Sequence, residues 1–127
     1  MPGVSGASPL RTLLLGSQAT DGTITGVTSG TSQGLAVEAY ANVTIYVTAS
    51  AALSAGTLIV EEADYDTDRE MISNNWSVVA TYTLSSVFSG AGGKAANHLP
   101  AASYNHVRVR IGTTVVGGTV YVRMGAN

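Results

Sequence analysis

Apolar and polar residues alternate one by one in several short runs of this chain. From Val43 to Thr48, aliphatic residues take every second position, and threonine or tyrosine takes the positions between them. Similar alternation occurs in 57–62, 76–84, 107–111 and 120–124. A period of two is typical of strands that bury one face, and no stretch shows the 3.6-residue period of an amphipathic helix. The sequence therefore predicts an all-β protein.

Glycine, serine and threonine separate these runs, as expected for turns. The two runs near the C-terminus, connected by 112–118, predict a β-hairpin with valines inward and arginines outward. About seven or eight short strands of this kind, without intervening helices, predict an antiparallel sandwich or barrel, and we favour a single antiparallel β-sandwich with jelly-roll-like connections. In 76–84, alternation would place Trp76, Val78, Ala80 and Tyr82 on one side. Residues 98–100 would form a short edge piece, since they end at Pro100.

The 127 residues are enough for one domain and too few for two separate cores. We assign residues 16–127 to the β-sandwich domain, and residues 1–15 to an extended N-terminal arm that ends in a first short strand. The first ten residues have neither a basic stretch nor an apolar stretch, so we expect no secretory signal. The leucine cluster at 13–15 is far shorter than a membrane span.

Only 11% of the residues are charged, about half the usual share for a soluble domain. The net charge of −2 offers no electrostatic basis for binding nucleic acid or an anionic membrane, and we expect neither as a partner. The absence of cysteine excludes disulfides and thiolate chemistry. A surface so poor in charge predicts that copies of the chain, or a larger assembly, cover much of it.

Six of the eight acidic residues lie within 61–70. The carboxylates of Asp64, Asp66 and Asp68 alternate as in the first half of a calcium-binding loop. The rest of that pattern is missing, because Arg69 stands where glycine is required and Asn75 where glutamate is required. A solvated loop is the favoured interpretation, and calcium binding remains open.

No other group of residues points to catalysis. The glycine-rich stretch 90–95 contains Lys94, but it lacks the first glycine and the final serine or threonine of a phosphate-binding loop. His98 and His106 have no nucleophile elbow and no zinc-binding spacing nearby. We therefore expect no enzyme activity, no catalytic residue, no cofactor and no metal.

Two further features concern packing and contacts. Trp76 is the sole tryptophan, and we predict that it packs in the core. The predicted hairpin would bring the side chains of Arg108, Arg110, Tyr121 and Arg123 together on one outer face. Arginine and tyrosine are enriched in protein–protein interfaces, so this face is a candidate interface.

Three stretches resemble small virion proteins encoded among the head genes of tailed bacteriophages. They are 98–104 with the sequence HLPAASY, 107–120 with VRVRI and GGTV, and 56–63 with GTLIVEEA followed by Trp76-Ser77-Val78. Such proteins are typically β-sandwich head decoration, or cement, proteins. The resemblance implies a structural protein on the capsid surface, assembled in the host cytoplasm. Its implied partners are the major capsid protein and copies of itself, as a dimer or trimer.

On this hypothesis, the N-terminal arm docks on a neighbouring protein through Leu10, Arg11 and Leu13, and the arginine face makes a second contact. Two alternatives remain open. One is another phage structural role, such as a neck, tail, baseplate or head-fibre component. The other is a carbohydrate-binding β-sandwich module, which requires exposed aromatic side chains.

Overall fold

A computed structural model of the chain describes residues 11–18, 20–21, 23–32, 35–36, 42–65, 71–100 and 106–126. The first strands in chain order are β1 (Arg11–Leu15), β2 (Ser17–Gln18), β3 (Ile24–Thr25), β4 (Leu35–Ala36), β5 (Asn42–Ala49) and β6 (Ala55–Tyr65). They are followed by β7 (Met71–Thr83), the helical turn α1 (Leu84–Val87), β8 (Gly93–Pro100), β9 (His106–Val116) and β10 (Val120–Ala126).

Eight of these strands form two four-stranded sheets. The first sheet has the order β1-β10-β5-β8 and the second the order β4-β9-β6-β7, with β2 and β3 paired separately. Every pairing is antiparallel. This order, in which β9 and β10 return between earlier strands of opposite sheets, is that of an eight-stranded jelly roll. The predicted all-β sandwich with jelly-roll-like connections is confirmed.

The core lies between the two sheets and consists mostly of the aliphatic residues that alternation predicts to face inward, together with residues outside those runs such as Leu53, Phe88 and Val115. On β5, Val43, Ile45 and Val47 are buried, as predicted. On β6, Leu58 and Val60 are fully buried, whereas Ile59 is half-buried on the opposite face. Burial of a large aliphatic side chain contributes about 1.5–3 kcal/mol, so these strands carry much of the stability of the sandwich.

The segment 27–32 closes one side of the sandwich by bonding to both sheets. Val27 exchanges two backbone hydrogen bonds with Val120 of β10, at 2.7 and 2.9 Å. Five residues later, the Ser32 N–H donates to the Val109 carbonyl of β9 at 2.8 Å, and the Ser32 hydroxyl accepts from the Val109 N–H. The opposite side, between β7 and β8, has no such bridge among the described residues.

The predicted C-terminal hairpin is wrong. β9 pairs with β4 and β6, whereas β10 pairs with β1 and β5, so the two strands belong to different sheets. Residues 117–119 form an arch from one sheet to the other. The alternation is nevertheless as predicted, with Val107, Val109, Val120, Val122 and Met124 all buried. A short glycine-containing connection between two half-apolar strands fits an arch as well as a hairpin, because both bury the aliphatic residues.

Two other local predictions need correction. Val78 is 56% exposed instead of sharing a buried side with Ala80 and Tyr82. The pairing of β7 with β6 shifts between Val60 and Glu61, and this bulge at Val79 reverses the alternation. The edge piece predicted at 98–100 is the end of the eight-residue strand β8. Its first four residues, GKAA, show no alternation of apolar and polar side chains, so only their pairing with β5 defines them as a strand.

Candidate interaction surfaces

The outer face of the second sheet carries a cluster of one acid, two arginines and one tryptophan. Glu61 on β6 is opposite Arg108 on β9, and Arg110 is two residues further along the same strand. The Arg108 Nε–H donates to the Glu61 carboxylate oxygen Oε1 at 2.8 Å, and Arg110 forms an ion pair with the same oxygen, with Nε at 3.1 Å. We call Glu61, Trp76, Arg108 and Arg110 the arginine–tryptophan cluster.

Trp76 covers this cluster instead of packing in the core, so the predicted core position is wrong. Its ring is half-buried, and the Arg108 guanidinium carbon lies 4.3 Å from the ring centroid. The Glu61 side chain is only 7% exposed, whereas those of the two arginines are 26% and 33% exposed. Each arginine therefore already has a carboxylate partner, and Arg108 has an aromatic partner as well, which holds these side chains in place.

The outer face of the first sheet forms a groove of about 370 Å³. Pairing of β8, β5 and β10 aligns Lys94, Thr48 and Tyr121 in one row across the sheet. The next row, two residues along each strand, is Ala96, Tyr46 and Arg123. The Arg123 guanidinium carbon lies 4.4 Å from the Tyr46 ring centroid. We call this groove, with Lys94 and Arg123 at opposite corners, the cationic groove.

The β2–β3 pair contributes one wall of the cationic groove through Ile24, which is 40% exposed. Gly16, between β1 and β2, has φ +101° and approaches Tyr121 so closely that a Cβ would lie 3.0 Å from its ring and 2.8 Å from the Thr25 carbonyl oxygen. Before β3, the Thr23 N–H donates to the Asp21 carboxylate at 2.9 Å. That hydrogen bond lowers the pKa of the exposed Asp21 carboxyl and stabilises the turn.

The charge of the cationic groove is not balanced locally. No acidic side chain lines it. Among the described residues, the ion pairs belong to Arg108 and Arg110, and neither Lys94 nor Arg123 has one. Lys94 is exposed and Arg123 is half-buried. The groove therefore presents two positive charges to solvent in a chain whose net charge is −2.

A third surface is the outer edge of β7, which is the last strand of the second sheet. No described strand pairs with this edge. Its thirteen residues include no charged residue, no proline and no glycine. Proteins commonly protect edge strands by lysine, proline, extreme shortness or bulges. The other three edges have such features: β1 has five residues and contains the charged Arg11, β4 has two residues, and β8 contains Lys94 and Pro100. Of these protective features, β7 has only bulges.

Beside the β7 edge, an apolar cleft of about 220 Å³ opens between β7 and β8. Ile45 and Val47 form its floor, and Leu84, Val87 and Phe88 in and after α1 close one end. Val87 is 45% exposed at the rim. Its lining is almost entirely apolar, so an apolar side chain is the ligand that it fits.

The structure separates the residues predicted as one interface. Arg108 and Arg110 lie on the outer face of the second sheet, whereas Tyr121 and Arg123 lie on that of the first. Arg11 and Leu13 belong to β1, and the structure describes only their backbone. Leu10 lies outside the described residues. No local pattern in the sequence indicates Glu61 as the partner of the arginines, or places Lys94 on the same sheet face as Arg123. In both cases the residues come from strands that are distant in sequence.

Other predicted features have different outcomes. His106 is buried on β9, and the side chain of His98 lies outside the described part. The carboxylates of 64–70 also lie outside it, so the solvated loop stays the favoured prediction there and calcium binding stays an open alternative. The described side chains include no group of three metal-ligating residues. In that part of the chain, no helix has the length and apolarity needed to cross a bilayer.

Comparisons with known proteins give a likeness of fold only. No family model and no curated protein matches the chain. Among solved structures, it is similar to the SPBc2 prophage-derived protein YomS, with 9% identity, 92% of each chain covered and a TM-score of 0.49. It is also similar to the K1 cleaved adhesin domain of Lys-gingipain from Porphyromonas gingivalis, with 13% identity, coverages of 89% and 69% and a TM-score of 0.49.

A third similar structure is the C-terminal CBM6 of LamC from Zobellia galactanivorans, with 10% identity, 93% of each chain covered and a TM-score of 0.43. None of these three structures reaches a TM-score of 0.5 or an identity of 25%. The comparisons therefore assign neither a family nor a function to the chain. Its own strand order shows that it is a jelly-roll β-sandwich.

Proposed function

We propose that this chain is a non-enzymatic structural virion protein of a tailed bacteriophage that binds the capsid surface and stabilises it through protein–protein contacts. The observation that carries the proposal is the β7 edge together with the adjacent apolar cleft. An uncharged strand of thirteen residues presents backbone donors and acceptors in a row, and the cleft offers a place for an apolar side chain. This combination suits strand addition, in which an extended partner segment pairs with a sheet edge and inserts alternate side chains.

The composition supports the same proposal. With 11% charged residues, the surface has little electrostatic repulsion to keep copies apart, and Val78 and Val87 remain exposed beside the β7 edge. Such a surface suits a protein that functions as part of an assembly. The proposed partner is the major capsid protein, whose repeated copies would multiply a modest contact by multivalency. A neck, tail, baseplate or head-fibre role would use the same contacts at far lower copy number.

The carbohydrate-binding alternative receives no support from the aromatic side chains that the structure describes. Stacking on a sugar ring requires an exposed aromatic face. Phe88 and Tyr121 are buried and Tyr82 packs against the core. Tyr46 and Trp76 are half-buried, each with an arginine over its ring.

Lysine on the β7 edge tests the proposal. Thr81 and Thr83 are exposed residues of β7. The double variant Thr81→Lys/Thr83→Lys should keep the fold but reduce binding to capsids that lack the protein by about tenfold or more, because charged side chains on an edge block addition of a strand. The measurement is co-sedimentation of purified protein with such capsids, followed by counting of bound copies.

The matched control places two lysines on β9, at the exposed residues Thr113 and Thr114, which β6 separates from β7 in the sheet. Thr113→Lys/Thr114→Lys adds the same charge and should bind like the unmodified chain. Equal capsid occupancy by both double variants would contradict the use of the β7 edge. Absence of the chain from purified particles, or presence in only a few copies, would contradict the capsid-surface role itself.

The N-terminal arm gives a second test, which rests on the sequence because residues 1–10 lie outside the described part. Removal of residues 1–10 leaves β1, and with it the pairing of Arg11–Leu15 with β10, intact. If the arm docks on a neighbouring protein, the truncated chain should show lower capsid occupancy at an unchanged melting temperature. Full occupancy at the same protein concentration would refute a docking role for the arm.

A further inference from the structure

The cationic groove continues into a neighbouring hollow on the outer face of the first sheet. This hollow of about 200 Å³ shares Ile24, Thr48 and Tyr121 with the groove. Its far end is formed by Ser50 and Thr119, where the Thr119 N–H donates to the Ser50 hydroxyl at 2.9 Å. Groove and hollow together cover three rows of side chains, which corresponds to about 14 Å along the strands. The site is therefore suited to an elongated ligand.

The two positive charges lie in successive rows of this site. Lys94 belongs to the row of Thr48, and Arg123 belongs to the row of Tyr46, two residues away along β5. Successive rows are about 6.8 Å apart. Arg123 is held in its row, because its guanidinium carbon lies 4.4 Å from the centroid of the Tyr46 ring. Two anionic groups about 7 Å apart satisfy both cations, and side chains at alternate positions of an extended peptide have that spacing.

The backbone beneath the site favours carboxylates over phosphate groups. Phosphate sites commonly collect free backbone N–H groups at a helix N-terminus or in a glycine-rich turn. The floor of this site is β5, which pairs with β10 on one side and with β8 on the other, so its N–H groups are bonded within the sheet. The anion must therefore be bound by side chains, and ammonium and guanidinium groups bind carboxylates through charge-assisted hydrogen bonds.

The remaining lining favours a peptide over a sugar. Arg123 lies over Tyr46, and Tyr121 is only 6% exposed, so neither ring offers a free face for stacking on a sugar ring. The sides of the groove include the exposed apolar residues Ile24 and Ala96, against which the methylene groups of a peptide can pack. No acidic side chain among the described residues lines the groove and repels a carboxylate.

We propose that the cationic groove binds an extended acidic segment of a partner protein, with carboxylates at alternate positions beside Arg123 and Lys94. The positive groove and the negative segment are complementary in charge, which gives the contact its specificity. This inference goes beyond the proposed function, because it assigns a second binding surface, on the sheet opposite to the β7 edge, and gives the chemistry of its ligand.

A synthetic peptide tests the proposal on the isolated chain. The probe is a rhodamine-labelled peptide of sequence GDTDTDG, and fluorescence anisotropy measures its binding. Affinity should fall about tenfold between about 50 mM and about 500 mM salt, because the contact joins opposite charges. Replacement of the three aspartates of the probe by asparagine should weaken binding about tenfold. Lys94→Gln changes an exposed side chain, so it should weaken binding about fivefold at an unchanged melting temperature.

A matched pair of variants separates the groove from the net charge of the chain. Ala96→Lys and Thr113→Lys each replace an exposed residue and add one positive charge. Ala96 lies in the row of Tyr46 and Arg123, so Ala96→Lys should tighten binding of the acidic probe about fivefold. Thr113 lies on the second sheet, and Thr113→Lys should bind the probe like the unmodified chain.

Three results would overturn the proposal. The first is no saturable binding of the acidic probe at concentrations up to about 1 mM. The second is equal affinity in Ala96→Lys and Thr113→Lys, which would show that only net charge matters. The third is tighter binding of inorganic phosphate or of a single-stranded oligonucleotide, which would assign the groove to phosphate groups. These measurements use the isolated chain, so they are independent of the capsid assay that tests the β7 edge.

Discussion

Replacement of Leu58 by alanine should lower the free energy of unfolding by about 3 kcal/mol, the usual cost of removing a fully buried leucine side chain. Leu58 is 0% exposed on β6 and lies opposite Ile111 of β9 and Tyr82 of β7. Its removal leaves a cavity between the sheets that a close-packed core fills only in part. Denaturant unfolding should show the loss as a lower midpoint with an unchanged slope. The melting temperature should fall by about 10 °C.

Ile59 is the matched control, because it is the next residue on the same strand and is a large aliphatic residue too. It lies on the opposite face of the sheet, across from Arg110 and Thr81, and is only half-buried. Ile59→Ala should therefore cost about 1 kcal/mol. Equal losses in the two variants would contradict the assignment of inner and outer faces, and with it the packing of the sandwich.

We expect Glu61→Gln to have the second largest effect, a loss of about 2 kcal/mol in the free energy of unfolding. The substitution keeps the shape of the side chain but leaves two arginines beside a neutral amide. Glu61 Oε1 accepts a hydrogen bond from Arg108 Nε and forms an ion pair with Arg110, and the Glu61 side chain is 7% exposed. The arginines are about a quarter to a third exposed, so water reduces the cost below that of a fully buried ion pair.

A double-mutant cycle isolates this effect. Removal of Arg110 together with the charge of Glu61, in Glu61→Gln/Arg110→Gln, should cost less than the sum of the two single changes, since one arginine, Arg108, then lacks the carboxylate instead of two. Additive single losses at Glu61 and Arg110 would show that the arginine–tryptophan cluster is not coupled.

Asp21→Asn removes an exposed carboxylate, and an asparagine at this position also stabilises the turn. This substitution should therefore change the free energy of unfolding by less than about 0.5 kcal/mol.

Much of the fold was predictable because it rests on alternation within single strands. The inner residues of β5 and β6, and those of β9 and β10, follow directly from a period of two. β8 was mostly missed, since Gly93, Lys94, Ala95 and Ala96 have no alternation and become a strand only through their pairing with β5. The turn α1 was missed because four residues are too few to show a helical period.

The candidate surfaces were less predictable, because each one combines strands that are distant in the chain. Arg108 contacts Glu61, which is 47 positions away in the sequence, and no local pattern predicts this pair. The same is true of Lys94 and Arg123, which β5 separates in the sheet. The prediction that joined Arg108 to Arg123 failed at this level, since it treated two strands adjacent in sequence as neighbours in one sheet.

The sequence by itself determined which residues face inward, because a strand alternates its side chains whatever it pairs with. It also determined the scarcity of charge and the uncharged character of β7. Only the tertiary structure decided which strands are neighbours, and therefore that the arginines lie on two opposite faces and that β7 is an edge. The physical reason is that side-chain direction is a property of one strand, whereas strand order results from the packing of the two sheets as a whole.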